Sequence, residues 1–237
     1  MDNGIPLLPE DVTDYLAIFY KENGFTLSVK KKSSSKLMKA IGWLFGVTKI
    51  SPEFMTRYIT TIGETVYFPD AMLENPNSES ILRVMVHESV HAYDSKKLTG
   101  PLFKFLYLFP QSLAAFSLLA LLSFWKISFL WCLLFLLGLA PIPAPFRYLF
   151  ELRAYRTSIL FARKADKASD EEINSIHEWI IKQLCTNLYY WTWPFPAKVK
   201  KHLQDESWVN TGIYKTIAKW IIVRSIVNIY KETGIRK

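Results

Sequence analysis

The chain has 237 residues, half of them hydrophobic, with 29 basic against 21 acidic side chains and a net charge of +8. That length fits one large domain or two small ones, and a mean hydropathy above zero points to membrane contact. Two cysteines, Cys132 and Cys185, lie outside any CxxC pattern, which excludes a disulfide scaffold and leaves a reducing compartment as the default; with no basic stripe interleaved with aromatics and no RNA- or DNA-binding motif, the charge excess is not assigned to nucleic acid.

The opening MDNGIPLLPEDVTDYL is acidic and lacks the apolar core of a secretory signal peptide. Residues 10–22 predict an amphipathic helix whose apolar side is Tyr15, Leu16, Ile18 and Phe19. Residues 30–39, KKKSSSKLMK, are basic and polar, and the apolar patch 40–47, AIGWLFGV, follows. That patch is too short to span a bilayer. Two readings stay open: a helix lying on a membrane surface beside its lysines, or a core helix behind a loop.

Residues 54–69 are rich in β-branched and aromatic side chains and broken by Gly63, which predicts a β-hairpin or two short strands. Asn77 or Ser78 is placed to cap a helix running through ILRVMVHESVHAYDSKK, with Gly100-Pro101 stopping it. Residues 105–124 and 127–146 carry no charge and are separated by little more than Lys126. Each run has the roughly 20 residues needed to cross a bilayer as a helix, so a transmembrane helical hairpin is expected. Pro110 should kink its first leg, and Pro141, Pro143 and Pro145 should end its second. The competing reading is a hairpin buried inside a soluble domain. Lysines and arginines flank both exits, among them Lys96, Lys97, Lys104, Arg147, Arg153 and Arg156. Both charged flanks are therefore expected on the cytoplasmic side of a membrane. Further helices are expected from Arg147, after a cap at Ser169–Asp170, and over about 207–230, where Ile213, Ile217, Trp220 and Ile221 recur at helical spacing. The intervening NLYYWTWPFP fits either a headgroup-level segment or a packed aromatic corner.

The motif that carries chemistry is HESVHAYD at residues 87–94. His87 and His91 are four apart, so a helix puts both imidazoles on one face, able to share one zinc ion. Glu88 is turned about 100° away. It is free to take a proton from a metal-bound water and to pass it to a leaving amine. A catalytic zinc needs a third protein ligand and an open position. Candidates are Glu151, Glu178, His177 and Asp94. Glu151 is preferred, because the hairpin returns the chain to the membrane face it left shortly after His91. Asp94, one turn beyond His91, suits a carboxylate that orients a ligand rather than one that binds metal.

HExxH, a membrane helix pair and then ExxA on a helix resemble the integral-membrane gluzincins of the HtpX and CAAX-protease type. The matching residues are His87, Glu88 and His91 in HESVH, and Glu151 with Ala154 in ELRAY; the likeness covers about residues 54–165. The resemblance implies a membrane-associated zinc endopeptidase hydrolysing protein or peptide substrates, with membrane lipid as its other partner. It implies Zn2+ on His87, His91 and Glu151, with Glu88 as the catalytic base. Two features depart from the family. An Asp usually follows the Ala, and here Tyr155 stands there; no full-length membrane helix precedes the motif. Asp94 is offered as the missing orienting carboxylate, and Tyr155 or Arg156 as a donor to an oxyanion.

The expected fold is mainly α with a small β-hairpin or sheet, a zincin-like α+β peptidase core interrupted by the hairpin. Residues 1–53 form an N-terminal amphipathic and basic region, 54–101 with 147–237 the peptidase domain, and 102–146 the transmembrane hairpin. The alternative is a non-catalytic, membrane-interacting structural protein, of the kind a phage or mobile element encodes, keeping a degenerate zincin fold.

Overall fold

The computed structural model describes residues 8–49, 52–74, 76–140, 142–186 and 192–205. The expected helix over 207–230 and the first part of the aromatic NLYYWTWPFP segment lie outside these residues. The chain divides into two compact units: Met1–Lys96 with Asn210–Lys237, and Lys97–Val209.

The first unit begins with α1 (Glu10–Asn23), which buries Val12, Tyr15 and Phe19 at helical spacing. Gly24 ends it in the left-handed region at φ 73°, its N–H bonding the Tyr20 carbonyl at 2.8 Å. A side chain there would meet its own backbone, so glycine suits the position. Next comes β1 (Ser28–Lys31), a strand not anticipated from the sequence, whose last two residues open the basic and polar stretch 30–39. It pairs parallel with β3 (Thr65–Phe68), and β2 (Thr60–Ile62) pairs antiparallel on the other side of β3. The sheet order is β1-β3-β2. The expected hairpin is β2 and β3, turning at Gly63 with φ 61°.

Three helices complete the described part of this unit. The Ser35 side chain caps α2 (Lys36–Thr48) by accepting from the Met38 N–H at 3.3 Å. A short helix, α3 (Asp70–Glu74), follows the sheet, and Asp70 accepts from the Ser33 N–H at 3.2 Å. The long helix α4 (Ser78–Lys97) starts at Asn77, whose Oδ1 accepts from the Ser80 N–H at 2.9 Å. Of the two expected caps, Asn77 makes the bond. Tyr15 and Ser89, both buried, join α1 to α4 through a 2.6 Å hydroxyl pair. Lys96 at the end of α4 bonds Glu64 in the sheet turn at 2.6 Å.

In the second unit, α5 (Gly100–Tyr107) leads into two apolar legs, Gln111–Phe124 and Ile127–Leu139. Both legs are 3-10 helix, and the chain turns between them at Trp125–Lys126. They pack closely. The Phe116 and Phe135 rings lie 5.5 Å apart, and a Cβ on Gly138 would fall 2.7 Å from the Pro110 carbonyl oxygen.

The expected hairpin is present, but not as two full-length transmembrane helices. Among the described residues no single helix is long and apolar enough to cross a membrane. Only α5 and the first leg reach that length together, and they are bent by 101° at the break before Gln111. Pro110 is the cause anticipated in the sequence, since it lacks the N–H that would carry the helical ladder through. At the turn between the legs Phe124 is 96% exposed and Trp125 91%.

Beyond the hairpin, α6 (Pro145–Lys164), α7 (Asp170–Cys185) and α8 (Pro196–Gln204) enclose a core of Tyr148, Leu152, Ile159, Ile173, Ile180, Leu184, Val199 and Leu203. Ser169 caps α7 through a reciprocal box with Glu172, as the sequence suggested. Trp193 stacks on Tyr148 at 4.9 Å and 11°. At the described end of the aromatic segment Phe195 remains 51% exposed.

Candidate metal centre

The capped start of α4 sets the phase of the helix that carries the motif. The four-residue spacing then puts His87 and His91 on one face, edge to face, with ring centroids 5.0 Å apart and planes at 76°. His91 is buried, while His87 and Glu88 are half-buried and reachable from solvent. Two imidazoles one turn apart can offer two nitrogen ligands to one metal ion without any change in the backbone.

Glu88 points elsewhere, as its 100° offset requires. Its Oε2 accepts a hydrogen bond from the Thr61 Oγ1 at 2.6 Å. Thr61 lies in the middle of β2, opposite Val66 of β3, on an edge strand of the sheet. The carboxylate is thus held by a residue that no motif names.

Lys32 adds an unexpected charge. It is fully buried, donates to the Phe54 carbonyl at 2.6 Å, and lies 3.5 Å from the centroid of the Phe54 ring. Burial pushes its ammonium down to about 8, with the negative charge of Glu88 working in the opposite direction. Asp94 is buried on α4, one turn beyond His91.

In the second unit, Glu151 is fully buried on α6. Its Oε1 accepts a short hydrogen bond from the Tyr107 hydroxyl. Tyr107 is the last residue of α5, and Arg147 clamps the same place: Nε bonds the Tyr107 carbonyl at 3.0 Å and Nη2 the Gln111 side chain at 2.8 Å. The carboxylate is oriented from the point where the chain enters the apolar hairpin. Ala154, one turn along α6, is buried.

The other site candidates are placed as follows. Tyr155 lies in the core of this unit, edge-on to Trp179 with centroids 5.8 Å apart. Arg156 donates through Nε and Nη2 to the His202 carbonyl of α8. Glu178 is exposed and pairs with Lys200 at 3.3 Å. His177 is buried on α7, and neither ring nitrogen has a hydrogen-bond partner among the described residues. Burial lowers its pKa; the positive charge of Arg163 adds to that, Glu178 opposes it, and Lys200 lowers it further.

Thr61, Tyr107 and Lys32 were not singled out in the sequence. A threonine in a strand, a tyrosine in an apolar run and the last lysine of a lysine triplet each have ordinary roles. Only the folded chain gives Thr61 and Tyr107 a carboxylate to hold, and Lys32 the Phe54 carbonyl. Comparison with protein-family models, curated proteins and solved structures returned no match.

Proposed function

We propose that the protein is a zinc-dependent endopeptidase that works at a membrane, with His87, His91 and Glu151 as zinc ligands and Glu88 as the general base. The observation that carries this reading is the arrangement on α4: two imidazoles edge to face on one side of the helix and, on the residue next to His87, a solvent-reachable carboxylate held by Thr61. As a group, His87, His91 and Glu151 could hold a metal ion, with an imidazole nitrogen from each histidine and one carboxylate oxygen. That donor set fits a catalytic zinc, which takes three protein ligands and keeps one position open. Nitrogen donors also argue against calcium or magnesium, which prefer all-oxygen sites.

When bound, zinc would supply Lewis acidity at the scissile carbonyl and draw the pKa of a water towards 7. The chain's own residues do the rest. Glu88 accepts the proton of the attacking water and returns it to the leaving amine. Thr61 keeps its carboxylate in one orientation. Tyr107 does the same for the Glu151 carboxylate.

Lipid contact is supported by the apolar hairpin, whose large side chains remain exposed with no charge between Phe105 and Trp125. Isolated surface leucines are ordinary, whereas a contiguous apolar projection marks an interaction surface. The lysine and arginine distribution favours cytoplasmic charged flanks. A non-catalytic membrane-binding protein is the second reading. The observation in its favour is Tyr155, which fills core space where the resembling family keeps a carboxylate.

The test is metal analysis of the purified full chain, followed by cleavage of an unfolded casein-like substrate. Glu88→Gln should keep the zinc and lose activity by about 10²–10⁴-fold, the usual worth of a general base. Absence of stoichiometric zinc, or a Glu88→Gln protein as active as its parent, would overturn the reading.

A further inference from the structure

The helix α2 has two apolar faces. One is spent on the protein: Met38 is fully buried, and Phe45 meets Phe54 edge to face at 5.2 Å. Gly42 lies so close to Met55 that a Cβ would fall 2.6 Å from its Cγ. The helix is therefore docked through these residues. On its other side Leu37, Trp43, Leu44 and Val47 remain exposed, Trp43 by 70% and Val47 by 63%. At 100° per residue these four, with Ala40, fall within an arc of about 120°. An apolar stripe this wide on an already docked helix needs a second apolar medium.

Charge identifies that medium. From Asn23 to Pro52 the chain carries six lysines and no aspartate or glutamate. Lys32 is buried, and Lys31 is paired with Glu74 at 3.3 Å. Lys30, Lys36, Lys39 and Lys49 are exposed. Lys36 and Lys39 lie in the first turn of α2, and Lys49 directly follows its last residue. The helix is about 20 Å long, too short to cross a bilayer. An exposed indole, flanking aliphatic side chains and lysines with flexible stems are what an interfacial helix requires. The apolar face enters the headgroup boundary, and the ammonium groups reach up to the phosphates.

We propose that α2 is an interfacial helix that seats on membrane surfaces containing anionic lipid. This contact belongs to the first unit, needs no zinc and is independent of the peptidase reading. It is also separate from the hairpin, which carries no comparable lysine cluster. Each lysine near such a surface contributes about fivefold to partitioning. Loss of Lys36 and Lys39 together should therefore weaken seating by about 25-fold.

The experiment must read α2 itself, since the hairpin could tether the chain to any vesicle. The full chain with Cys132→Ala, Cys185→Ala and Val47→Cys is labelled at residue 47 with an environment-sensitive fluorophore. It is then titrated with vesicles of phosphatidylcholine alone or of phosphatidylcholine with phosphatidylserine. A blue shift on the phosphatidylserine vesicles, reversed by high salt and weaker on phosphatidylcholine, is the expected result. Lys36→Gln with Lys39→Gln should move the phosphatidylserine titration about 25-fold while leaving the phosphatidylcholine response unchanged. Both lysines are exposed, so an unaltered circular dichroism spectrum and melt confirm that the fold is kept. No shift on either vesicle, or equal shifts on both, overturns the proposal. So does a shift that grows with protein concentration alone, which would assign the stripe to a second copy of the chain.

Discussion

Replacing Thr61 with valine removes one hydroxyl and little else. Valine matches threonine in shape and is also β-branched, so β2 keeps its pairing with β3. What disappears is the 2.6 Å hydrogen bond to the Glu88 carboxylate. A hydrogen bond to a charged group contributes about 1.5–3 kcal/mol. Glu88 is half-buried, so water can replace part of what is lost and the lower end applies. About 1.5 kcal/mol corresponds to roughly a tenfold effect on a step that depends on the orientation of this carboxylate. The assay is steady-state cleavage of an unfolded protein or a quenched peptide by zinc-loaded enzyme, with metal content and thermal melts measured in parallel. The expected result is a kcat about tenfold lower, with KM, zinc content and melting temperature close to those of the parent. Thr61→Ser, which restores a hydroxyl, should recover much of the loss. A valine variant with unchanged kcat would refute the assignment of Thr61 as the residue that positions the base. A fall that serine does not rescue would refute it equally, because it would trace the effect to strand packing.

Three further outcomes follow from the same geometry. Tyr107→Phe keeps the ring that stacks on Phe150 at 6.4 Å but removes the donor to Glu151; zinc affinity in a competitive chelator titration should drop about 10–100-fold, as it does when a ligand loses its orienting partner. His177→Phe should flatten the pH dependence of stability on the acid side. Burial and the charges of Arg163 and Lys200 hold the folded pKa below the ordinary value of 6.5, so the unfolded chain takes up the proton first and the parent loses stability as pH falls below about 6.5. Melts from pH 7 to 5 would check this, and equal slopes for parent and variant would contradict it. Gly138→Ala forces a methyl group to within 2.7 Å of the Pro110 carbonyl. Such overpacking costs about 1–3 kcal/mol, and proteolysis at the Trp125–Lys126 turn should accelerate.

Much of the structure around the motif was legible in local sequence. The spacing of His87 and His91 needs only a helix to bring the two rings together, and Asn77 supplies the start of that helix. Ser169 and Glu172 cap α7, Gly63 turns β2 into β3, and Pro110 breaks the first apolar run where its missing N–H predicts. Each of these depends on interactions within a few residues, which the order of side chains dictates before the chain has packed.

The remainder depended on distance along the chain. Strand β1 is not legible in the sequence, because its partner Thr65–Phe68 lies far downstream and a parallel pairing leaves no local signature. The burial of Lys32 follows from that strand and from Phe54, not from its two lysine neighbours. Tyr155, offered from the sequence as an oxyanion donor where the resembling family keeps an Asp, is taken up by the core of α6, α7 and α8. The partners of the two carboxylates, Thr61 for Glu88 and Tyr107 for Glu151, are 27 and 44 residues away in sequence. By itself the sequence determined which residue types are available for zinc chemistry and which helix presents two of them. Only tertiary packing decided how the carboxylates are held, because a side chain's orientation depends on neighbours that folding alone brings within hydrogen-bonding reach.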